Sequence, residues 1–415
     1  MPQNEAPPQP NKALFLLTTV NYLNYIDRYI LAAVLVSIKA DLGLSDFQAG
    51  LLATAFMIPY MFTSPFFGYL GDKNNRSKII SVGAAVWSFA SVLTGQASQF
   101  VVMAASRFLL GIGESAFTVT SVPYLSDYFP EEKRGRILSI FSTALPVGAA
   151  LGFILGGLMG KFFGWRMAFF VGGLPGLLLA YLIWKLPDPG RGKEASTSDL
   201  NLRKSFAALF RSKNYLLVVL GYCAYTFVVG GVAHWVPTYL QRAYAIDQMK
   251  ANVIFGGIAV ISGFLGTMVG GYWGDAETKK HRHGHIKISS YSMFLAMPFY
   301  VACLMSESLL GFAIWLSLAQ FFFFVSTSPI NITIIDVAPW HFRTSAMAMA
   351  VFACHILGDA ISSPLIGWVS DQTGSLKIGM LACSPIILVS AALWLMAARL
   401  PRNSLPGPEL KNPAL

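Results

Sequence analysis

The sequence predicts an all-α membrane protein of twelve transmembrane helices arranged as two pseudo-symmetric six-helix bundles. Three observations lead there. Of the 415 residues, 55% are hydrophobic and 12% are charged, against about 25% charged in soluble domains. The apolar residues gather into twelve runs, each close to the roughly 20 residues needed to cross a hydrocarbon core. Two short motifs recur in the same order in both halves. Runs of this length exclude a transmembrane barrel, whose strands are short and alternate in polarity. The net charge of +10 is then a matter of loop topology, not of nucleic-acid binding.

In chain order the runs are 13–38, 47–71, 78–96, 99–126, 136–160, 167–186, 214–240, 250–274, 287–305, 309–335, 344–369 and 376–398. The first, ALFLLTTVNYLNYIDRYILAAVLVSI, holds Asp27 and Arg28 near its middle. A charge at bilayer depth costs roughly 2.5–3.5 kcal/mol even on lenient scales, so such residues face protein or water and mark function. Asn21, Asn24 and Arg28 share a stripe at i, i+3, i+7 spacing, with Asp27 on its flank. The fourth run sets Arg107, Gly111, Glu114, Thr118 and Ser121 on one helical face. The fifth carries Gly148, Gly152, Gly156 and Gly160, and the eighth Gly263, Gly266, Gly270 and Gly274. Such stripes let helices approach closely. Pro59, Pro65, Pro146, Pro237 and Pro364 are candidate bending points. The seventh and tenth runs hold no Asp, Glu, Lys or Arg in their membrane cores. They offer Tyr222, Tyr225, Thr226, His234 and Trp235, then Phe321 to Phe324, Thr327 and Asn331. The eleventh holds His355 and Asp359, an i, i+4 pair and a possible proton relay. The remaining runs are assigned by length and hydropathy alone.

The segment 187–213 is the long polar stretch that divides the chain. It separates a bundle over 13–186 from one over 214–398, with tails at 1–12 and 399–415. Gly68-Tyr69-Leu70-Gly71-Asp72 matches Gly271-Tyr272-Trp273-Gly274-Asp275 at an offset of 203, and Asp127, Pro130 and Arg134 match Asp336, Pro339 and Arg343 at an offset of 209. A duplicated unit suggests two bundles rocking about a central cavity. Of the 30 Lys and Arg residues, 22 fall in one set of loops and the termini and 6 in the other, which puts both termini in the cytoplasm. The start, MPQNEAPPQPNK, lacks the basic region and cleavage site of a signal peptide. The four cysteines read as small buried apolar residues, and His281, His283 and His285 as a solvated basic loop, so no metal or cofactor is expected.

The loop motifs have a mechanical reading. Gly68, Asp72 and Arg76 lie at the turn after the second run, and Asp127, Arg134 and Arg136 at the turn after the fourth. Asp72 can pair with Arg134 or Arg136, or cap a neighbouring helix. Asp275, Asp336 and Arg343 are their counterparts in the second half. Such contacts would hold the cytoplasmic side shut and break as it opens.

These residues carry a resemblance. GYLGDKNNRSK resembles the signature loop of the major facilitator superfamily, with Gly68, Asp72, Arg76 and Lys78 in place and Asn75 where glycine is usual. NYLNYIDRYILAAVL, RFLLGIGESAF and PYLSDYFPEEKRGR resemble the spinster family, whose animal members export lysolipids and sphingosine-1-phosphate. The resemblance implies a secondary transporter working by alternating access. The short loops and compact termini suggest a bacterial member, resident in the inner membrane as a monomer.

The intramembrane charges Asp27, Arg28, Arg107 and Glu114 sum to zero and can share a cavity if they pair. Arg28 keeps its proton, and its planar fork suits phosphate or carboxylate, so it is the expected anchor of a substrate anion. Arg107 could share that part or hold Glu114. Asn24, Thr118, Tyr225 and Asn331 are the expected polar contacts. Burial favours a neutral acid and an adjacent Arg favours the carboxylate. Asp27 or Glu114, alternating between Arg-paired and Arg-free states, would load and release a proton, though Asp27 could equally serve only to hold Arg28. A charged first half and an aromatic second half suit an amphipathic anion such as a lysophospholipid. The alternatives are a carrier of small organic anions or a multidrug exporter. An internal repeat argues against a channel, and the sequence shows neither the nucleophile–base pair of an enzyme nor a phosphate loop for ATP.

Overall fold

The computed structural model describes residues 9–129, 131–189, 209, 211–281, 283–338 and 343–400, with positions 72, 131, 132, 134, 135 and 343–345 described by backbone alone. Eleven helices among them are long and apolar enough to cross a membrane. The helix Pro10–Leu42 joins them as span 1, its apolar stretch diluted by Asn21, Asn24, Asp27 and Arg28. Span 2 is Asp46–Lys73, span 3 Arg76–Gln96, span 4 Phe100–Ser126, span 6 Trp165–Trp184, span 7 Lys213–Tyr244, span 8 Gln248–Lys280 and span 9 Gly284–Met305. Span 5 is divided into Glu131–Ser142 and Ala144–Phe162, and span 10 into Leu309–Val325 and Thr327–Asp336. Span 11 runs Arg343–Cys354, then a π-helical turn His355–Asp359, then Ala360–Thr373, and span 12 comprises Leu376–Ala382 and Ser384–Arg399.

Local chemistry sets the helix ends. Gly43 closes span 1 at φ 63°, a left-handed conformation that glycine adopts without strain. Ser45 and Gln48 form a reciprocal capping box at the start of span 2, with bonds of 3.2 and 3.0 Å. Asn75, the departure from the usual glycine, is the N-cap of span 3: its Oδ1 accepts the Lys78 N–H at 3.1 Å. Pro59, Pro65 and Pro237 leave their helices continuous. Pro364 acts differently. Its missing N–H would have served the Ala360 carbonyl, which instead accepts Thr54 Oγ1 at 2.5 Å.

By its contacts the chain forms two units. The first comprises Met1–Ser196, Gly230–Val260 and Ala360–Met380, and the second Thr197–Val229, Ile261–Asp359 and Leu381–Leu415. In the first, the glycine stripe of span 5 lies against span 1. A side chain on Gly148 would strike Tyr25, one on Gly152 the Ile26 carbonyl, and one on Gly156 the Ala33 methyl. Span 4 meets span 2 through Gly111, which abuts the Phe56 carbonyl. Trp87 and Phe117 pack edge to face at 5.3 Å within the core.

In the second unit the same kind of close approach occurs with the glycines on the opposite partner. Gly266 and Gly270 of span 8 abut the Phe321 and Val325 carbonyls of span 10. Phe323 is buried against Tyr300, and Phe322 stacks on Phe299 at 5.6 Å. Trp394 Nε1 donates to the Val218 carbonyl at 3.0 Å, and Ser390 Oγ to the Gly221 carbonyl at 2.8 Å, joining spans 12 and 7.

The stripe predicts a contrast. Gly152→Leu must push span 1 away and should destabilise the protein by about 2 kcal/mol, through overpacking. A Cβ on Gly68 would meet no described atom within 4 Å, so Gly68→Ala should leave the melting temperature of the purified protein unchanged or slightly raised. Equal melting of the two variants would refute the packing assignment.

Candidate functional site

The intramembrane charges of the first half meet in the first unit. Spans 1 and 4 carry them, and aromatic residues of spans 1 and 2 lie around them. Arg28 Nε donates to Glu114 Oε2 at 2.7 Å. Glu114 is 0% exposed, whereas the Arg28 side chain remains 20% exposed. Three rings surround that guanidinium: Tyr60 at 4.7 Å, Phe56 at 5.1 Å and Tyr25 at 5.5 Å from their centroids. Arg107 lies over the same Phe56 ring, also at 5.1 Å, so one ring face system is shared by two guanidinium groups.

Asp27 sits deeper. Its Oδ1 accepts Ser91 Oγ from span 3 at 2.5 Å, and the missing side chain of Gly172 on span 6 leaves room beside it. The charges of Arg107 and Arg28 both reach it. Among the described residues, four groups of this cluster have buried atoms with no hydrogen-bond partner: Asn24 Nδ2, Asp27 Oδ2, Glu114 Oε1, and Nε and Nη1 of Arg107. Buried polar atoms are ordinarily satisfied, so several open ones in one place mark a site prepared for a ligand or a proton. Each acid has one oxygen held and one open. Arg107 presents N–H donors without an acceptor, which is the chemistry of an anion site.

The structure thus pairs Glu114 with Arg28 and leaves Arg107 the less committed cation. Asn21 belongs elsewhere: it donates to the Phe141 carbonyl at 2.9 Å, beside the break in span 5. Ser121 bonds back to the Phe117 carbonyl of its own helix at 2.6 Å. Thr118 is half-buried. Ser91, Phe56, Tyr60 and Gly172 escape sequence reasoning, because a serine, two aromatics and a glycine in apolar runs look like packing.

Of the candidates of the second half, His234 and Trp235 lie in the first unit, and Tyr222, Tyr225, Thr226, Thr327, Asn331, His355 and Asp359 in the second. Tyr225 is buried, shares a hydrogen bond with Thr327 Oγ1 at 3.1 Å, and stacks on Tyr222 at 6.0 Å. His355 Nδ1 and Asp359 Oδ2 are 2.8 Å apart. They bracket the π turn, where Thr226 Oγ1 donates to the Cys354 carbonyl at 2.9 Å. π turns of this kind recur at functional sites. Asn331 is half-buried on the second segment of span 10.

At the basic loops, Arg76 Nη1 donates to Asp127 Oδ2 at 2.6 Å. Asp188 completes the arrangement by accepting the Arg76 N–H at 2.7 Å and Nη2 at 3.2 Å. Asp188 follows span 6 and carries no motif that singles it out. Asp275 faces His285 at 3.6 Å, Asp336 is half-buried and Arg136 is exposed. The side chains of Asp72, Arg134 and Arg343 lie outside the described residues.

A helical membrane fold with a buried charge cluster and duplicated loop motifs defines a class of carrier. Residues 17–358 match the Major Facilitator Superfamily, and the chain belongs to it. Within that superfamily of transporters it belongs to the spinster family. It is similar to the sphingosine-1-phosphate transporter SPNS2 of Danio rerio, at 31% identity over 94% of this chain and 84% of that one. It is 30% identical to protein spinster homolog 1 of Xenopus laevis, over 93% of this chain and 80% of the relative. Its fold matches the crystal structure of a bacterial homolog of the human lysosomal transporter spinster, in an inward-facing and unoccupied conformation. That match has a TM-score of 0.85 at 20% identity and covers 94% of this chain and 97% of the other. The protein is a multi-pass membrane transporter, not an enzyme.

Proposed function

We propose that the chain is a proton-coupled carrier of an amphipathic anion, such as a lysophospholipid or a sphingosine-1-phosphate-like lipid, working by alternating access. The observation that carries the reading is the buried Asp27, Arg28, Arg107, Glu114 cluster with its open donor and acceptor atoms. The anionic head takes Arg107 and competes with Glu114 for Arg28. Once Arg28 turns to the substrate, Glu114 loses its cation and takes up a proton. When the substrate leaves, the ion pair re-forms and the proton is released. Asp27, held by Ser91, is the second proton site. In this reading the bundles 13–186 and 214–398 are the moving parts, and the charge bias of the loops supports cytoplasmic termini. The contact of Arg76 with Asp127 and Asp188 supports a gate role for the basic loops, with the protein acting as a monomer.

The test is uptake by liposomes holding the purified protein under an imposed pH gradient. Labelled lysophospholipid and sphingosine-1-phosphate should move, faster with the gradient than without. Movement of small hydrophilic anions alone would select the organic-anion carrier, and movement of cationic drugs alone the multidrug exporter.

A further inference from the structure

Span 7 opens the second half of the sequence, yet its residues from Gly230 onward belong to the first unit, with the charge cluster. Two contacts fix its rotation there. Trp235 Nε1 donates to the Ser363 carbonyl of span 11 at 3.0 Å, and Arg242 sets both prongs on Asp46 at the start of span 2, at 2.8 and 2.7 Å. His234 is 7% exposed and meets the Trp235 indole edge to face at 5.1 Å.

The two ring nitrogens of His234 differ. The ring is hydrogen-bonded to the backbone of Ala49 on span 2. The Ala49 N–H is already committed to the Ser45 carbonyl at 3.0 Å, so the ring donates to the Ala49 carbonyl. Among the described residues Nε2 has no partner, so the donor is Nδ1. In the neutral ring Nε2 then carries a lone pair and no proton, and it can only accept. One turn along span 7, on the same face, Thr238 Oγ1 is fully buried and also without a partner among the described residues. The packing therefore holds an acceptor in place and leaves it unused, in an interior where polar atoms are ordinarily satisfied.

Its location gives this acceptor a meaning. Ala49 and Phe56 share one face of span 2 at i, i+7 spacing, about 10 Å along its axis. Arg107 lies over Phe56 with Nε and Nη1 unmet, and its charge reaches the His234 ring. Asp46 reaches the ring too, but the Arg242 fork neutralises it. Donors for an anion and an acceptor for a donor thus occupy one region of the first unit. A substrate that satisfies both carries an anion and, a few bonds away, an N–H or O–H group. The positive charge of Arg107 disfavours an ammonium at that acceptor and leaves a hydroxyl.

We propose that His234 Nε2 accepts a hydroxyl carried next to the anionic head of the substrate, and so selects hydroxylated head groups such as a glycerol phosphate with a free middle hydroxyl. This rests on the reading of Arg107 as an anion site. A site built around a hydroxyl rejects the analogue that lacks it, because its own polar atoms stay unpaired. His234 touches substrate in this role and moves no proton.

The test is equilibrium binding, by the purified full-length protein, of a lysophosphatidic acid with a free middle hydroxyl and of its deoxy analogue. The wild type should bind the hydroxyl form about tenfold tighter, the size of one buried hydrogen bond. His234→Leu should bind the two alike, at the affinity of the deoxy form. His234→Gln, whose amide oxygen can take the place of Nε2, should keep most of the preference. NMR of protein with isotope-labelled histidine, the His234→Leu spectrum identifying the signal, should show a protonated Nδ1 and a bare Nε2 that shifts only with the hydroxyl form. Equal binding of the two ligands by the wild type, an undiminished preference in His234→Leu, or a proton on Nε2 in the free protein would each overturn the assignment. If His234→Leu fails to fold, His234→Phe, which keeps a flat ring against Trp235, takes its place. If neither lysolipid binds, the lipid-carrier reading fails by itself, and the same comparison with glycerol phosphate and its deoxy analogue decides the role of His234.

Discussion

Glu114→Gln is expected to abolish the response of transport to a pH gradient and to lower the remaining rate by on the order of a hundredfold. The glutamate is fully buried and holds Arg28 at 2.7 Å. Glutamine keeps the volume and an acceptor oxygen, so the helix packing survives. It cannot carry a proton, and it leaves Arg28 and Arg107 balanced by Asp27 alone, so the cluster turns from neutral to a net charge of +1. Removing one partner of a buried pair costs about 3–5 kcal/mol, because the other charge stays desolvated. Some of that penalty is relieved when the anionic substrate binds, so binding should persist or tighten while release slows. Liposome uptake with and without the gradient, beside equilibrium binding of labelled lysolipid, separates the two effects. Unchanged gradient dependence in Glu114→Gln would move the proton to Asp27, where Asp27→Asn becomes the decisive variant.

Much of this site was legible in the sequence, for a physical reason. A charge inside a span is costly, so Asp27, Arg28, Arg107 and Glu114 announce themselves without a structure. Their spacing also placed the last two on one face of span 4. Their pairing was not legible, because both arginines reach either acid on spacing alone. Phe56 and Tyr60 stayed hidden, since an aromatic residue in an apolar run has the same signature whether it faces lipid, core or a guanidinium. The partners of Asp46 stayed hidden for the opposite reason: an acid at a helix start is ordinary, and the groups it bonds, Arg242, Ser370 and Asp371, lie some 200 to 325 residues away. The π turn at His355–Asp359 could not be read either, because i, i+4 spacing fits an α-helix equally well. Asn75 shows the reverse case, a departure from a family pattern that turns out to be a helix cap.

Arg107 supports the second large effect, and one that separates function from stability. The residue is 2% exposed, and among the described residues its Nε and Nη1 have no acceptor. A buried cation with unmet N–H donors is a liability to the folded state. Arg107→Met replaces it with an apolar side chain of similar length that can still pack on Phe56. The variant gives up a cation–π contact worth about 1–2 kcal/mol, but it also removes the desolvation cost of the charge. The melting temperature of the purified protein should therefore hold steady or rise. Affinity for an anionic lysolipid should fall by about 30- to 100-fold, since charge-assisted hydrogen bonds contribute about 1.5–3 kcal/mol each. Arg107→Lys should recover part of the affinity and none of the two-pronged geometry. The opposite pattern, a protein that melts several degrees lower yet binds lysolipid as tightly as before, would make Arg107 a packing residue and return the anion to Arg28 alone. Unmet donors on a buried cation are intelligible if something anionic comes to meet them, and the paired measurement of melting and binding is what decides that.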